Sequence, residues 1–356
     1  MPRLALLDPS KTGRHALCLE SQLRHRVVGQ DEAIHEIVRV YQTHVAGLAA
    51  VGRPIGSFLF LGPTGSGKTH IVEATAECLL GDPRAVLKID CAEFQHGHEI
   101  AKLIGSPPGY LGHRETGALL SQEMLKQYHT DKVKISFVLF DEIEKASDAL
   151  WNLLLGILDK ATLTLGDNRK VDFSATMVFM TGNLGAAEMS ALVSPRLGFC
   201  VNSPENTDGN ATLRTRMSRA GIAAARRKFT PEFINRLDKI VVFKPLGDQE
   251  LRRIVDLELE TLQQRILMAA GNHPFQIQVT QSAREFLLAE GTDARYGARP
   301  LKRAIERLLV QPLSNLIATG QIQHGDRIRV TCGGDSSSLL FFREAGASEV
   351  WESAAA

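Results

Sequence analysis

Ser57-Phe-Leu-Phe-Leu-Gly-Pro-Thr-Gly-Ser-Gly-Lys-Thr69 is the stretch that decides the fold. The unbroken apolar row Phe58 to Leu61 is what a strand buried on both faces requires. Gly62 to Thr69 follows at once and fits the pattern G-x-x-x-x-G-K-[ST]. Its glycines let the backbone curl until successive N–H groups point inward at an anion's oxygens. Helix-forming residues come next, so a helix would turn its positive end to the same anion. Gly62, Pro63, Thr64, Gly65, Ser66 and Gly67 are thereby expected to cradle a triphosphate. Lys68 would reach its β and γ phosphates, and the Thr69 hydroxyl is a hard oxygen ligand for Mg2+. ATP and Mg2+ are the expected cofactors. A GTP-specific site would want an Asn-Lys-x-Asp motif, which the sequence lacks.

Outward from this loop the pattern repeats. The runs Val86–Asp90, Ile135–Phe140, Thr176–Thr181 and Lys239–Phe243 are nearly continuously apolar, with helical stretches between them. Strand and helix alternating at this spacing predict an α/β fold, a parallel sheet flanked by helices. Upstream, Ile34, Ile37, Val38, Tyr41, Val45 and Leu48 recur at helical spacing. Pro245-Leu246-Gly247 marks a boundary, after which Asp248 is expected to cap a helix and Ser282-x-x-Glu285 reads as a capping box. Pro300 opens a further helix to about Ile317, and Phe275–Val279 and Asp326–Thr331 alternate like short strands. The expected organisation is a flexible arm over 1–15, a large α/β domain over 16–246, a mainly helical lid with a short sheet over 247–332, and a flexible tail over 333–356.

The run ending at Phe140 leads into Asp141-Glu142. An acidic pair at the C-terminal edge of such a strand sits beside the phosphate loop. Asp141 is expected to hold Mg2+ and Glu142 to polarise the attacking water as general base. Asn183, just past the run 176–181, reads by position alone as a turn residue, and the family resemblance given below makes it a candidate bridge between γ-phosphate and water.

Composition narrows the class. The 356 residues are 44% apolar and 23% charged, with a net charge of +1, so no strongly basic face for nucleic acid is announced. The cluster Arg226-Arg227-Lys228 reads as a solvated helix face. Cys18, Cys78, Cys91, Cys200 and Cys332 are widely spaced without a C-x-x-C pair, which fits single buried thiols in a reducing, cytoplasmic protein. No run approaches the ~20 apolar residues needed to span a bilayer.

These residues resemble the Clp-type AAA+ ATPases, specifically the C-terminal ATPase module of ClpB, ClpA and ClpC. The likeness runs through Arg26-Val-Val-Gly-Gln30, Arg53-Pro-Ile-Gly-Ser57, Ile104-Gly-Ser-Pro-Pro-Gly-Tyr110-Leu-Gly, Phe140-Asp-Glu-Ile-Glu-Lys-Ala146, Phe229-Thr-Pro-Glu-Phe-Ile-Asn-Arg236-Leu-Asp and Tyr296-Gly-Ala-Arg299-Pro. It covers roughly residues 16–331. The resemblance implies an AAA+ core, with Val27 and Val28 lining an adenine pocket and Ile254 opposite them. It implies that Arg236 is an arginine finger used on a neighbour's nucleotide and that Arg299 is the lid arginine reporting γ-phosphate. Tyr110 matches the axial pore loop that grips an unfolded chain. A homo-oligomeric ring, most simply a hexamer, is implied as well.

The same resemblance leaves three functions open. One is a protein unfoldase or disaggregase, the reading preferred on neutral charge and Tyr110. Another is a subunit coupled to a ClpP-like peptidase, docked through Leu197, Gly198 and Phe199. The last is a motor or scaffold acting on another macromolecule. His113-Arg-Glu-Thr116 and Ala161-Thr162 depart from the family's pore segments and leave the client undetermined.

Overall fold

The computed structural model describes residues 8, 11–106, 117–193, 207–269, 274–292, 297–333 and 338–344. These form two compact units, one of residues 1–63 and 67–244, the other of residues 64–66 and 245–356. In chain order the first holds α1 (Arg14–Arg26), α2 (Asp31–Val45), β1 (Gly56–Leu61), α3 (Lys68–Leu80), β2 (Leu87–Asp90), the short α4 (Ala101–Ile104) and α5 (Gln122–Lys126), and β3 (Ser136–Asp141). There follow α6 (Asp148–Lys160), a hairpin of β4 (Thr162–Thr164) and β5 (Lys170–Asp172), β6 (Thr176–Gly182), α7 (Ala186–Val193), α8 (Thr207–Lys228), α9 (Pro231–Arg236) and β7 (Lys239–Val242).

The main sheet is parallel, in the order β2-β3-β6-β1-β7. Its continuous apolar runs have a simple cause, because alternate residues enter two separate cores. Phe58, Phe60, Phe137, Leu139, Met177 and Phe179 face one side. Leu59, Leu61, Val138, Phe140, Val178 and Met180 face the other. Each face is roofed by helices, as a period-two side-chain alternation demands when both sides are dry. Phe179, on central β6, anchors the first core: its ring stacks on Phe58 with centroids 5.0 Å apart and lies 5.6 Å from Phe60.

The second unit holds α10 (Asp248–Ala269), β8 (Gln276–Val279), α11 (Gln281–Gly291), α12 (Arg299–Ile305), a π turn over Glu306–Val310, α13 (Gln311–Ala318), β9 (Arg327–Cys332) and β10 (Leu339–Glu344). β9 pairs parallel with β8 and antiparallel with β10, around a core that includes Leu251, Leu262, Leu287, Leu301 and Val330.

Several local expectations differ from what forms. β10 lies within the stretch expected as a flexible tail. There Leu339 and Phe341 pack on the core while their backbone pairs with β9, so a glycine- and serine-rich lead-in does not set the fate of the apolar residues after it. Helix α1 already starts at Arg14, inside the expected arm. Thr280, not Ser282, caps α11, accepting from Ala283 N at 3.4 Å, while the Glu285 carboxylate is taken by Gln281 and Arg252. Asp248 is the first residue of α10 rather than its cap, and Glu250 instead receives the Gly247 N–H at 3.1 Å. Cys18 is exposed, so not every thiol is core.

Phe179→Ala removes a fully buried ring from the central strand and should lower stability by about 3–5 kcal/mol. Phe342→Ala, at a side chain 52% exposed, should change it by less than about 1 kcal/mol. Urea titrations of the two variants check the contrast.

Candidate functional site

Strand order builds the site. β6 lies between β1 and β3, so the residues just past the C-terminal ends of these three strands become neighbours. Past β1 comes the Gly62–Thr69 loop, past β6 comes Asn183, and β3 ends in Asp141 with Glu142 next. Ligands of open parallel sheets bind in this kind of crevice. The loop's first glycine is required twice over: Gly62 has φ 149°, and a Cβ there would lie 2.7 Å from the Phe243 carbonyl oxygen. Gly67, at φ 96°, turns the chain into α3, and Lys68 and Thr69 form that helix's first turn.

The Lys68 side chain is nearly buried, at 8% exposure. An ammonium withdrawn from water needs acceptors, and its Nζ donates to Gly62 O at 2.7 Å, Pro63 O at 2.9 Å and Asn183 Oδ1 at 3.0 Å. Asn183 then reaches the other way, its Nδ2 lying 3.5 Å from Glu142 Oε1. One amide thus spans the gap between the loop cation and the acid after β3. Asn183 is itself held by Glu144, whose Oε1 accepts its backbone N–H at 2.8 Å. The other Glu144 oxygen is buried without a hydrogen-bond partner among the described residues, and it approaches so closely that a Cβ on Gly182 would stand 2.9 Å away.

The acidic pair is fixed by Thr181. Its hydroxyl donates to the Asp141 carboxylate and accepts the Glu142 N–H at 3.2 Å. Glu142 adopts φ 55°, ψ 47°, a left-handed conformation that costs a non-glycine residue on the order of 1–2 kcal/mol. That turn lifts its carboxylate off the strand line, where it pairs with Lys145 and raises that ammonium's pKa. Behind the acids, burial and then the charge of Asp141 push the Cys91 thiol well above the ordinary range, so it stays protonated.

Of the residues singled out in the sequence, Lys68, Asp141, Glu142 and Asn183 converge here, with Thr69 in the adjoining turn. Val27 is 4% exposed within one of the large unit's cores, and Val28 beside it is half-buried. Ile254 and Arg299 belong to the second unit. Arg236 is not at this crevice. It precedes β7, and the next residue but one, Asp238, binds Ser57 near the start of β1, at the opposite edge of the sheet. A six-residue strand, at about 3.3 Å per residue, separates that edge from Gly62. Tyr110 and the segment Leu197, Gly198 and Phe199 lie outside the described residues. Thr181, Glu144 and Lys145 were not picked out from the sequence; the only signal was their closeness to Asn183 and Glu142.

A cation held by carbonyls at a helix N-terminus, facing two carboxylates across an amide, defines a P-loop nucleotide site on a parallel sheet. Comparison with known families makes this specific. The description of the AAA domain (Cdc48 subfamily) matches residues 53–240, more than half of the chain, and the chain belongs to the AAA family of ATPases. Residues 246–330 match the C-terminal, D2-small domain of ClpB protein. The chaperone protein ClpB of Rhizobium meliloti (strain 1021) is 40% identical over 333 residues, 94% of this chain and 35% of the relative. The ClpB of Meiothermus ruber is 40% identical over 317 residues, 89% of this chain and 34% of the relative. The chain thus spans about a third of the length of these relatives. Among solved structures, a closed-state reconstruction of Hsp104 with ATPγS and FITC casein matches with TM-score 0.73 at 30% identity, over 92% of this chain and 51% of that one. An extended S. cerevisiae Hsp104:casein complex matches with TM-score 0.75 at 29% identity, over 93% and 53%.

Thr181→Val keeps the shape of a fully buried side chain but leaves the Glu142 N–H without its acceptor. It should cost about 1–3 kcal/mol by denaturant titration; an unchanged midpoint would mean that Thr181 does not organise the acidic turn.

Proposed function

We propose that the chain is a Mg2+-dependent ATPase subunit of a ring, most simply a hexamer, that threads unfolded polypeptide through its centre. The observation that carries the ATPase reading is the Lys68–Asn183–Glu142 bridge, with contacts of 3.0 and 3.5 Å joining three neighbouring strand ends. Gly62–Thr69 supply inward N–H groups and a helix N-terminus for the phosphates, and Lys68 supplies the cation. Val27, Val28 and Ile254 are assigned to the adenine, and Arg299 to sensing the γ-phosphate from the second unit.

The donor set fits Mg2+. A hydroxyl at Thr69 and a carboxylate at Asp141 are the one or two hard oxygen ligands that this ion takes from protein when phosphates and water complete its shell. Held there, the ion would supply neutralisation of charge on the phosphate oxygens. Glu142 takes the proton from the attacking water, and Asn183 holds that carboxylate in register with Lys68. Lys145 pairs with the Glu142 carboxylate from the following turn.

Arg236 stands at the far edge of the sheet, out of reach of its own Lys68, and this supports a finger given to a neighbouring subunit. A residue used that way needs a head-to-tail interface, and head-to-tail contacts close into a ring where the rotation between neighbours closes. The naming of its relatives as ClpB chaperones, and of casein in the Hsp104 complexes, supports polypeptide as the substrate and Tyr110 as the gripping residue. It favours an unfoldase over docking of a peptidase at Leu197, Gly198 and Phe199.

Lys68→Ala should abolish ATP binding in titration calorimetry. Glu142→Gln should still bind ATP and lose about 10²–10⁴-fold in turnover. Unfolded protein should stimulate hydrolysis by the unaltered chain. Stimulation by single-stranded DNA and not by unfolded protein would replace polypeptide with nucleic acid as the substrate.

A further inference from the structure

Arg236 is mounted with unusual care for a half-exposed side chain. Its carbonyl oxygen accepts from Arg53 Nη2 at 3.0 Å and from Ser57 Oγ at 3.3 Å. Ser57 is tied in turn to Asp238, whose Oδ2 accepts from the Ser57 N–H at 2.8 Å and its hydroxyl at 2.7 Å, while Asp238 N donates back to Ser57 Oγ at 2.9 Å. Arg53 also lies 3.8 Å from Asp238 Oδ1 and donates from Nε to Leu158 O at 3.4 Å. The backbone of Arg236 is therefore bolted to the start of β1, the strand that carries the phosphate loop at its other end.

The side chain is treated differently. Nη1 donates to Asp159 Oδ1 at 2.6 Å, a short charge-assisted bond from the last turn of α6. A guanidinium carries five N–H donors in a planar fork, and this end-on contact uses one nitrogen. Arg236 and Asp159 side chains are 38% and 37% exposed. A bidentate, buried ion pair would consume the fork. A one-point anchor restrains the half-exposed side chain and leaves its other donors without a partner among the described residues.

We infer that Asp159 is a positioning residue for Arg236, holding the guanidinium by one nitrogen so that its free donors meet the triphosphate of the adjoining subunit. This rests on the proposed use of Arg236 in trans. Without the anchor, each turnover must reorder a side chain with many rotamers before the transition-state charge can be met. The backbone mount fixes where the arginine starts, and Asp159 fixes where it ends.

Steady-state ATP hydrolysis by the full chain tests this with Asp159→Ala, Asp159→Asn, Arg236→Ala and the Asp159→Ala/Arg236→Ala double variant. Asp159→Ala should lower kcat about 10- to 100-fold with KM for ATP nearly unchanged. Asp159→Asn keeps an acceptor oxygen and the shape of the side chain, so it should lose less. The double variant should be no slower than Arg236→Ala alone, because an anchor has no effect once its arginine is gone. The inference is overturned if Asp159→Ala is as fast as or faster than the unaltered chain, which would make the contact neutral or a restraint. It is equally overturned if Asp159→Ala costs the same factor in the Arg236→Ala background, as a purely structural role would. An Arg236→Ala variant of full activity would instead remove the trans finger itself, and the anchor with it.

Discussion

A lysine ammonium withdrawn from water is the constraint on which the remainder of the large unit turns. Lys68 is buried, and a buried cation is tolerated only where oxygens surround it. The loop supplies two carbonyls because Gly62 lets the chain pass under Phe243, and β6 supplies the third oxygen through Asn183. That in turn requires β6 to lie beside β1, which the interdigitated phenylalanines on one face and the aliphatic residues on the other enforce. Three oxygens of neutral groups thus receive the ammonium's N–H donors.

The acidic side of the crevice obeys the same logic with the sign reversed. Asp141 and Glu142 sit at one strand end, close enough to repel each other, and a left-handed turn at Glu142 separates them. Thr181 stabilises that turn from the neighbouring strand, and Lys145 draws the second carboxylate outward. Strain at one residue is held by hydrogen bonds from another strand, as is common where chemistry needs an unusual backbone. At the opposite edge of the sheet Arg236 has its own mount, built from Arg53, Ser57 and Asp238. On the proposed reading, the two ends of β1 would carry complementary halves of one phosphoryl-transfer site, separated by the length of the strand.

Much of this was legible in the sequence, for local reasons. The phosphate loop is a contiguous string, and strands dry on both faces announce themselves as unbroken apolar runs. Lys68, Asp141, Glu142 and Asn183 each end or follow such a run, so their meeting at one sheet edge follows once the strands are parallel. What was not legible depends on pairing between distant segments. Thr181 acts on residues 39 and 40 positions away, and its usefulness exists only because β6 pairs with β3. Glu144 and Asp159 look like ordinary helix acids until Asn183 and Arg236 are brought against them. β10 is not legible because a glycine- and serine-rich lead-in says little about whether the next apolar residues find an edge to join.

The claim that most needs testing is that each triphosphate is served by residues of two subunits. Lys68→Ala subunits retain Arg236, and Arg236→Ala subunits retain the phosphate loop, so each variant alone should be nearly inactive. Mixed in equal amounts under conditions that exchange subunits, about a quarter of the head-to-tail interfaces would join an intact loop to an intact arginine. The account predicts that ATP hydrolysis reappears in the mixture. A mixture no more active than its separate components would contradict it.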